Sequence, residues 1–177
     1  MRLIGVDPGV AGAAALITKR GGSFHAEVVD IPIVQLGNNN AVDGREWQRI
    51  IRRLAPDIGY MELTWAIPIR ATRGANMKGQ GVVAAGRTQR SHGVIEGILQ
   101  CELEPGNLHY VISNSWKRRF GLIGGEENKP TSTALALRFF PDLAPRLRRV
   151  KDHNRAEAVL VGVYGAERQG LFKVVAG

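Results

Sequence analysis

The stretch from Leu3 to Ile17, Leu-Ile-Gly-Val-Asp-Pro-Gly-Val-Ala-Gly-Ala-Ala-Ala-Leu-Ile, constrains the chain more than any other. Leu3, Ile4 and Val6 are residues that suit a pleated, buried surface. Pro8, Gly9 and Gly12 bring turn chemistry, and Ala13 to Ile17 resume an apolar run. The pattern predicts a strand, a tight turn and a second strand. One acid, Asp7, ends the first strand. A lone carboxylate there is unfavourable unless it is paired or holds a cation. Two readings fit this segment by itself: an Asp that caps its own turn, and an Asp that binds something.

The segments that follow extend the pattern. A glycine pair at Gly21-Gly22 predicts a hairpin into a third strand, about Phe24 to Ile31, and Gln35 to Asn40 reads as a polar loop. Asp43 to Leu54 reads as a helix, with Trp47, Ile50, Ile51 and Leu54 at helical spacing and Arg45, Arg49, Arg52 and Arg53 on the wet side. Ile58 to Leu63 reads as a short buried strand with Glu62 near its end, followed by an irregular stretch, Thr64 to Gly79. Gly79 to Gln100 reads as a long helix with Gly86, Gly93 and Gly97 near one face. Glycine disfavours a helix by about 1 kcal/mol each, so a packing reason is expected. Close packing on a sheet and a dimer interface both fit.

Leu108 to Ile112 reads as a fifth strand, and Asn114 to Phe120 as a basic turn or short helix. A further helix is expected with Pro130 at its first position, then a basic run of Arg146, Arg148, Arg149 and Lys151, then a last helix from about Asn154 to Ala166. Three meandering strands followed by strands alternating with helices predict an α/β domain. Its mixed sheet has five strands, antiparallel first and parallel later, flanked by helices. One domain over residues 1–177 is expected.

Charge narrows the partner. The chain carries a formal net charge of +8. That favours a polyanion, nucleic acid ahead of an anionic membrane. Cys101 is the sole cysteine, which excludes an intrachain disulfide and a Cys-based zinc site. No signal peptide is read, and no run reaches the roughly 18 apolar residues of a membrane span. A cytoplasmic, DNA-associated location is expected.

Three acids stand apart by position. Asp7 and Glu62 lie near strand ends, and Glu157 sits among small apolar residues on the last helix. His153 is four residues before Glu157 and Asn154 three before it, so all can share one helix face. Asp152 reads as an N-cap. Taken singly, each acid has an ordinary structural use. Converging at one sheet edge they would repel and raise one another's pKa, and divalent cations relieve that. Oxygen ligands point to Mg²⁺ or Mn²⁺, and two such ions about 4 Å apart can hydrolyse a phosphodiester.

Gly5-Val6-Asp7-Pro8-Gly9, Tyr60-Met61-Glu62 and Lys151-Asp152-His153-Asn154-Arg155-Ala156-Glu157-Ala158 occur in this order and resemble the RuvC-type Holliday junction resolvases of the RNase H-like superfamily. Phage RuvC-like proteins and the plant monokaryotic chloroplast resolvase are the subgroups most similar. The resemblance implies an Mg²⁺-dependent endonuclease, with Mn²⁺ able to substitute, acting as a homodimer that makes paired symmetric nicks in four-way DNA junctions. It implies Asp7, Glu62 and Glu157 as metal-binding acids. The family's fourth catalytic position, usually Asp or His, is Asn154 here. The fourth role is therefore placed on neighbouring His153, with Asp152 in reserve. Lys117 and Lys129 fit family lysines near the scissile phosphate, while Trp116 is expected to pack. Arg70, Arg73, Lys78 and Arg118, with both lysines, are the expected DNA contacts.

Three alternatives are weaker on the same residues. An actin-like ATPase or sugar kinase needs a second phosphate loop, and no second copy occurs. Another RNase H-like nuclease, cutting flaps or hybrids, would share the same acids. A non-catalytic junction binder would not require them.

Overall fold

The computed structural model describes residues 1–63, 82–123 and 131–171. Its core is a five-stranded mixed sheet in the order β3-β2-β1-β6-β7. β1 (Arg2–Asp7), β2 (Ala13–Arg20) and β3 (Ser23–Asp30) form the expected antiparallel meander. β6 (Ile58–Leu63) and β7 (Leu108–Ile112) then add parallel to β1. Among the described residues no helix is long and apolar enough to cross a membrane.

Alternation along β1 decides what lies on each face. Ile4 and Val6 join one core with Trp47, Ile51 and Leu54 of α1 (Gly44–Leu54) and Ile95 and Leu99 of α2 (Val82–Glu102). Leu3 joins the other core with Trp116 of α3 (Ser113–Arg119), Leu135 of α4 (Ser132–Phe139) and Val159, Leu160 and Val163 of α5 (His153–Arg168). Gly5 and Asp7 share the Leu3 side by the same period of two. A Cβ at Gly5 would lie 2.3 Å from the Gly162 amide nitrogen and 2.4 Å from the Ala158 carbonyl. The backbone of α5 therefore rests directly on β1, which only glycine allows.

Three sequence expectations need correction. Residues 33–42 are a separate two-stranded hairpin, β4 (Ile33–Leu36) and β5 (Asn39–Val42), where a polar loop was expected over Gln35 to Asn40. α4 starts at Ser132, because the Thr131 side chain caps it by accepting from the Ala134 amide. Pro130, the expected first helical residue, lies outside the described residues. Gly86, Gly93 and Gly97 do not serve close packing on the sheet, since a Cβ at each would meet nothing within 4 Å. α2 instead packs through Ile95 and Leu99.

Asp152 also departs from its expected use. Its carboxylate does not cap α5. A 3-10 turn over Val150–Asp152 precedes that helix, and the carboxylate accepts from the Arg149 amide at 2.8 Å and from its guanidinium. Arg155 lies 3.5 Å away and makes a bidentate pair with Asp30 at the end of β3. These bonds, those from Arg149 foremost, hold the Asp152 carboxyl down at about 2. A carboxyl lowered by folding stabilises the protein above its ordinary value near 4, and that contribution is lost as pH falls through about 2. Asp152→Asn should therefore melt below wild type at pH 7, and the gap should close towards pH 2. Thermal melts across that range check it, and a gap independent of pH would contradict it.

Candidate metal centre

Register brings the acids together. Val6 pairs with Met61 across the parallel β1–β6 ladder, so the next position sets Asp7 beside Glu62. Both leave the carboxyl ends of adjacent parallel strands, the edge where α/β sheets place their ligands. The Gly5–Gly162 contact seats α5 over the same face, and Glu157 immediately precedes the Ala158 that touches Gly5. Asp7, Glu62 and Glu157 each offer a carboxylate oxygen, and these oxygens all lie within 4.8 Å of one another. Glu62 is 6% exposed, while Asp7 and Glu157 are half-buried.

The surrounding side chains hold this cluster without neutralising it. The buried Trp116 indole donates to Glu62 Oε2 at 2.7 Å, and Ser113 also hydrogen-bonds that carboxylate. Ser132 Oγ donates to Glu157 Oε1 at 3.3 Å. The Lys117 ammonium lies 3.2 Å from Glu157 Oε2 and 5.0 Å from the Trp116 ring centroid. His92 Nε2 is 3.3 Å from the Glu62 backbone oxygen. Burial, then the negative charges of Glu62 and Glu157, push the Asp7 carboxyl well above its ordinary range, and Lys117 opposes them. Glu62 is raised chiefly by burial, against the Trp116 hydrogen bond and Lys117. Three acids whose candidate ligand atoms are all carboxylate oxygens, with one ammonium beside them, suit a hard divalent cation.

The other sequence-derived positions fall in different places. Lys117 lies at the cluster. His153 and Asp152 do not belong to it. His153 is exposed, with Nδ1 2.9 Å from the Val150 oxygen, and Asp152 is taken by Arg149. Asn154, whose side chain donates to the Ala11 carbonyl, borders the same cavity as Asp7. Arg118 lines a groove of its own with Ser115, Arg119, Tyr164, Glu167 and Arg168. Arg70, Arg73, Lys78 and Lys129 lie outside the described residues. Sequence reasoning missed Ser113, Ser132 and the indole bond of Trp116. A hydroxyl or indole beside an acid carries no local signal when its partner is 54 residues away, as for Trp116 and Glu62.

A five-stranded mixed sheet of this order, with helices on both faces and acids at the ends of β1 and β6 and on α5, is an RNase H-like fold. The fold is specifically similar to that of RuvC. Thermus thermophilus RuvC superposes with a TM-score of 0.57 at 12% identity, covering 97% of this chain and 98% of that one. T. thermophilus RuvC in complex with its Holliday junction substrate superposes with a TM-score of 0.59 at 14% identity, covering 97% of each. No family model matches the sequence, and no curated protein matches it either.

Proposed function

We propose that this chain is a divalent-metal-dependent endonuclease that nicks four-way DNA junctions, as a homodimer making paired symmetric cuts. The observation that carries the reading is the convergence of Asp7, Glu62 and Glu157 at the carboxyl edge of β1 and β6. A net charge of +8 suits a phosphate backbone, and the likeness to RuvC bound to a Holliday junction suits a branched one. Asp7, Glu62 and Glu157 would hold Mg²⁺, or Mn²⁺ in its place. Bound there, such ions would supply Lewis-acid chemistry for water activation and for the leaving oxygen of a phosphodiester.

The chain's own groups account for the rest. Trp116 fixes the Glu62 rotamer, and Ser132 with Lys117 orients Glu157. Lys117 opposes the rise of the Asp7 and Glu62 pKa values and is placed to meet a phosphate. His153 would carry a proton or meet DNA from outside the acid cluster. Arg118 and Lys129, with Arg70, Arg73 and Lys78, are the DNA contacts of this reading. The open glycine face of α2 is where a second copy would sit, and sedimentation of a monomer with junction bound would contradict that.

The test is nicking of a synthetic four-way junction in Mg²⁺ beside a linear duplex and a flap. Symmetric nicks confined to the junction are expected. Equal cutting of the flap would favour a different RNase H-like nuclease, and tight binding without cleavage in Mg²⁺ or Mn²⁺ would remove the enzyme. Within the same assay, Lys117→Met should move the acid limb of the pH–rate profile to higher pH. Losing the ammonium lets the Asp7 and Glu62 pKa values rise further, so the ligands deprotonate later. Superimposed profiles would contradict this role for Lys117.

A further inference from the structure

Asp7 also borders a cavity of about 440 Å³, whose lining includes Asn39 and Asn40 of β5, Arg87 and Ser91 of α2, and Asn154 of α5. Its size is that of a small-ligand pocket, about 300–1,000 Å³. Ser91 is 6% exposed, and its hydroxyl makes no hydrogen bond to any described residue. A buried hydroxyl without a partner is unfavourable and calls for a ligand or an ordered water. The exposed side chains of Asn39, Asn40 and Arg87 likewise make no hydrogen bond among the described residues. Asn154 commits one amide hydrogen to Ala11 and keeps its carbonyl oxygen available.

The Pro8–Gly12 loop also lines this cavity, and the side chains named above add chemistry that a backbone cradle lacks. A site for phosphate alone is built from cations and backbone amides. Here Arg87 is the one cation among these five, and the others are neutral groups, three of them amides carrying donors and acceptors together. Asn pairs with the donor–acceptor edge of a base, with adenine above all. We infer that this cavity takes one unstacked nucleotide of the strand being cut, its base edge read by Asn39, Asn40 and Ser91 and its phosphate met by Arg87. The inference rests on the nuclease reading above. It makes the β4–β5 hairpin, which stands apart from the main sheet, a specificity element beside the metal centre.

The experiment places 2-aminopurine at each nucleotide flanking the cut of a four-way junction and binds it with Asp7→Asn, so that nothing is cleaved. Unstacking brightens the probe, and one position should brighten at least about twofold. With the four natural bases at that position, wild type should cut the best at least about tenfold faster than the worst. Asn39→Ala/Asn40→Ala, on an exposed hairpin, should lose the brightening and bring that ratio close to one. Ser91→Ala should lower both readouts. Bound junction with no position brightening, or an unchanged base ratio in the double variant, would overturn the inference. If wild type binds junctions without nicking any, the nuclease reading fails while the fluorescence still decides the pocket. If no DNA is bound, both fall.

Discussion

Asp7→Asn is expected to lower junction nicking by at least about 10³-fold, keep junction binding, and raise the melting temperature of the metal-free protein. The first effect follows from removing a ligand where ions would supply several kcal/mol of transition-state stabilisation. The last follows from charge. Burial and two neighbouring carboxylates raise the Asp7 pKa, so the folded state holds that proton more tightly than the unfolded chain does. The stability linked to it is full below the ordinary carboxylate range and is lost as pH rises through the raised value. Asparagine resembles the protonated acid at every pH. The variant should therefore melt above wild type near pH 8, with the gain vanishing towards pH 4. Mg²⁺ should stabilise wild type and leave the variant unmoved. A variant that cleaves at the wild-type rate would refute the role of Asp7, and a melting point unchanged at pH 8 would refute the account of its charge.

Gly5→Ala carries the second large effect, on folding. Its Cβ would meet backbone atoms of α5 at 2.3 and 2.4 Å, and backbone cannot rotate aside as a side chain can. Forcing β1 and α5 apart should destabilise by about 3 kcal/mol, at or above the usual range for overpacking. The same movement withdraws Glu157 from Asp7, so any folded fraction should bind Mg²⁺ more weakly. Gly162→Ala is a milder control, because its Cβ first meets the end of the flexible Ile17 side chain at 2.8 Å. Denaturant unfolding of both variants checks the order. Equal stabilities would contradict the claim that the Gly5 contact holds the site together.

These two residues mark how far the sequence could be read. Asp7 and Glu62 were legible because each is an acid near the end of an apolar strand, and Glu157 because it interrupts a run of small residues on a helix. The mixed sheet, antiparallel first and parallel later, followed from strands that alternate or bury completely. The hairpin over residues 33–42 did not, since Ile33, Val34 and Leu36 are all exposed and three asparagines mimic a loop. The use of Asp152 was hidden because an Asp before a helix most often caps it, whereas here the preceding 3-10 turn hands it to Arg149. Trp116 was expected to pack. It is fully buried, and its N–H also meets Glu62, a choice of partner made by the β6–β7 register and the start of α3.

The central claim is that Asp7, Glu62 and Glu157 form one divalent-cation centre. It is tested most directly by crystals grown with junction DNA and Asp7-intact protein, soaked in Mn²⁺ and measured for anomalous scattering. Manganese peaks are expected within ligand distance, about 2.2 Å, of carboxylate oxygens from all three acids. Peaks elsewhere, or none between these residues at millimolar Mn²⁺, would contradict it.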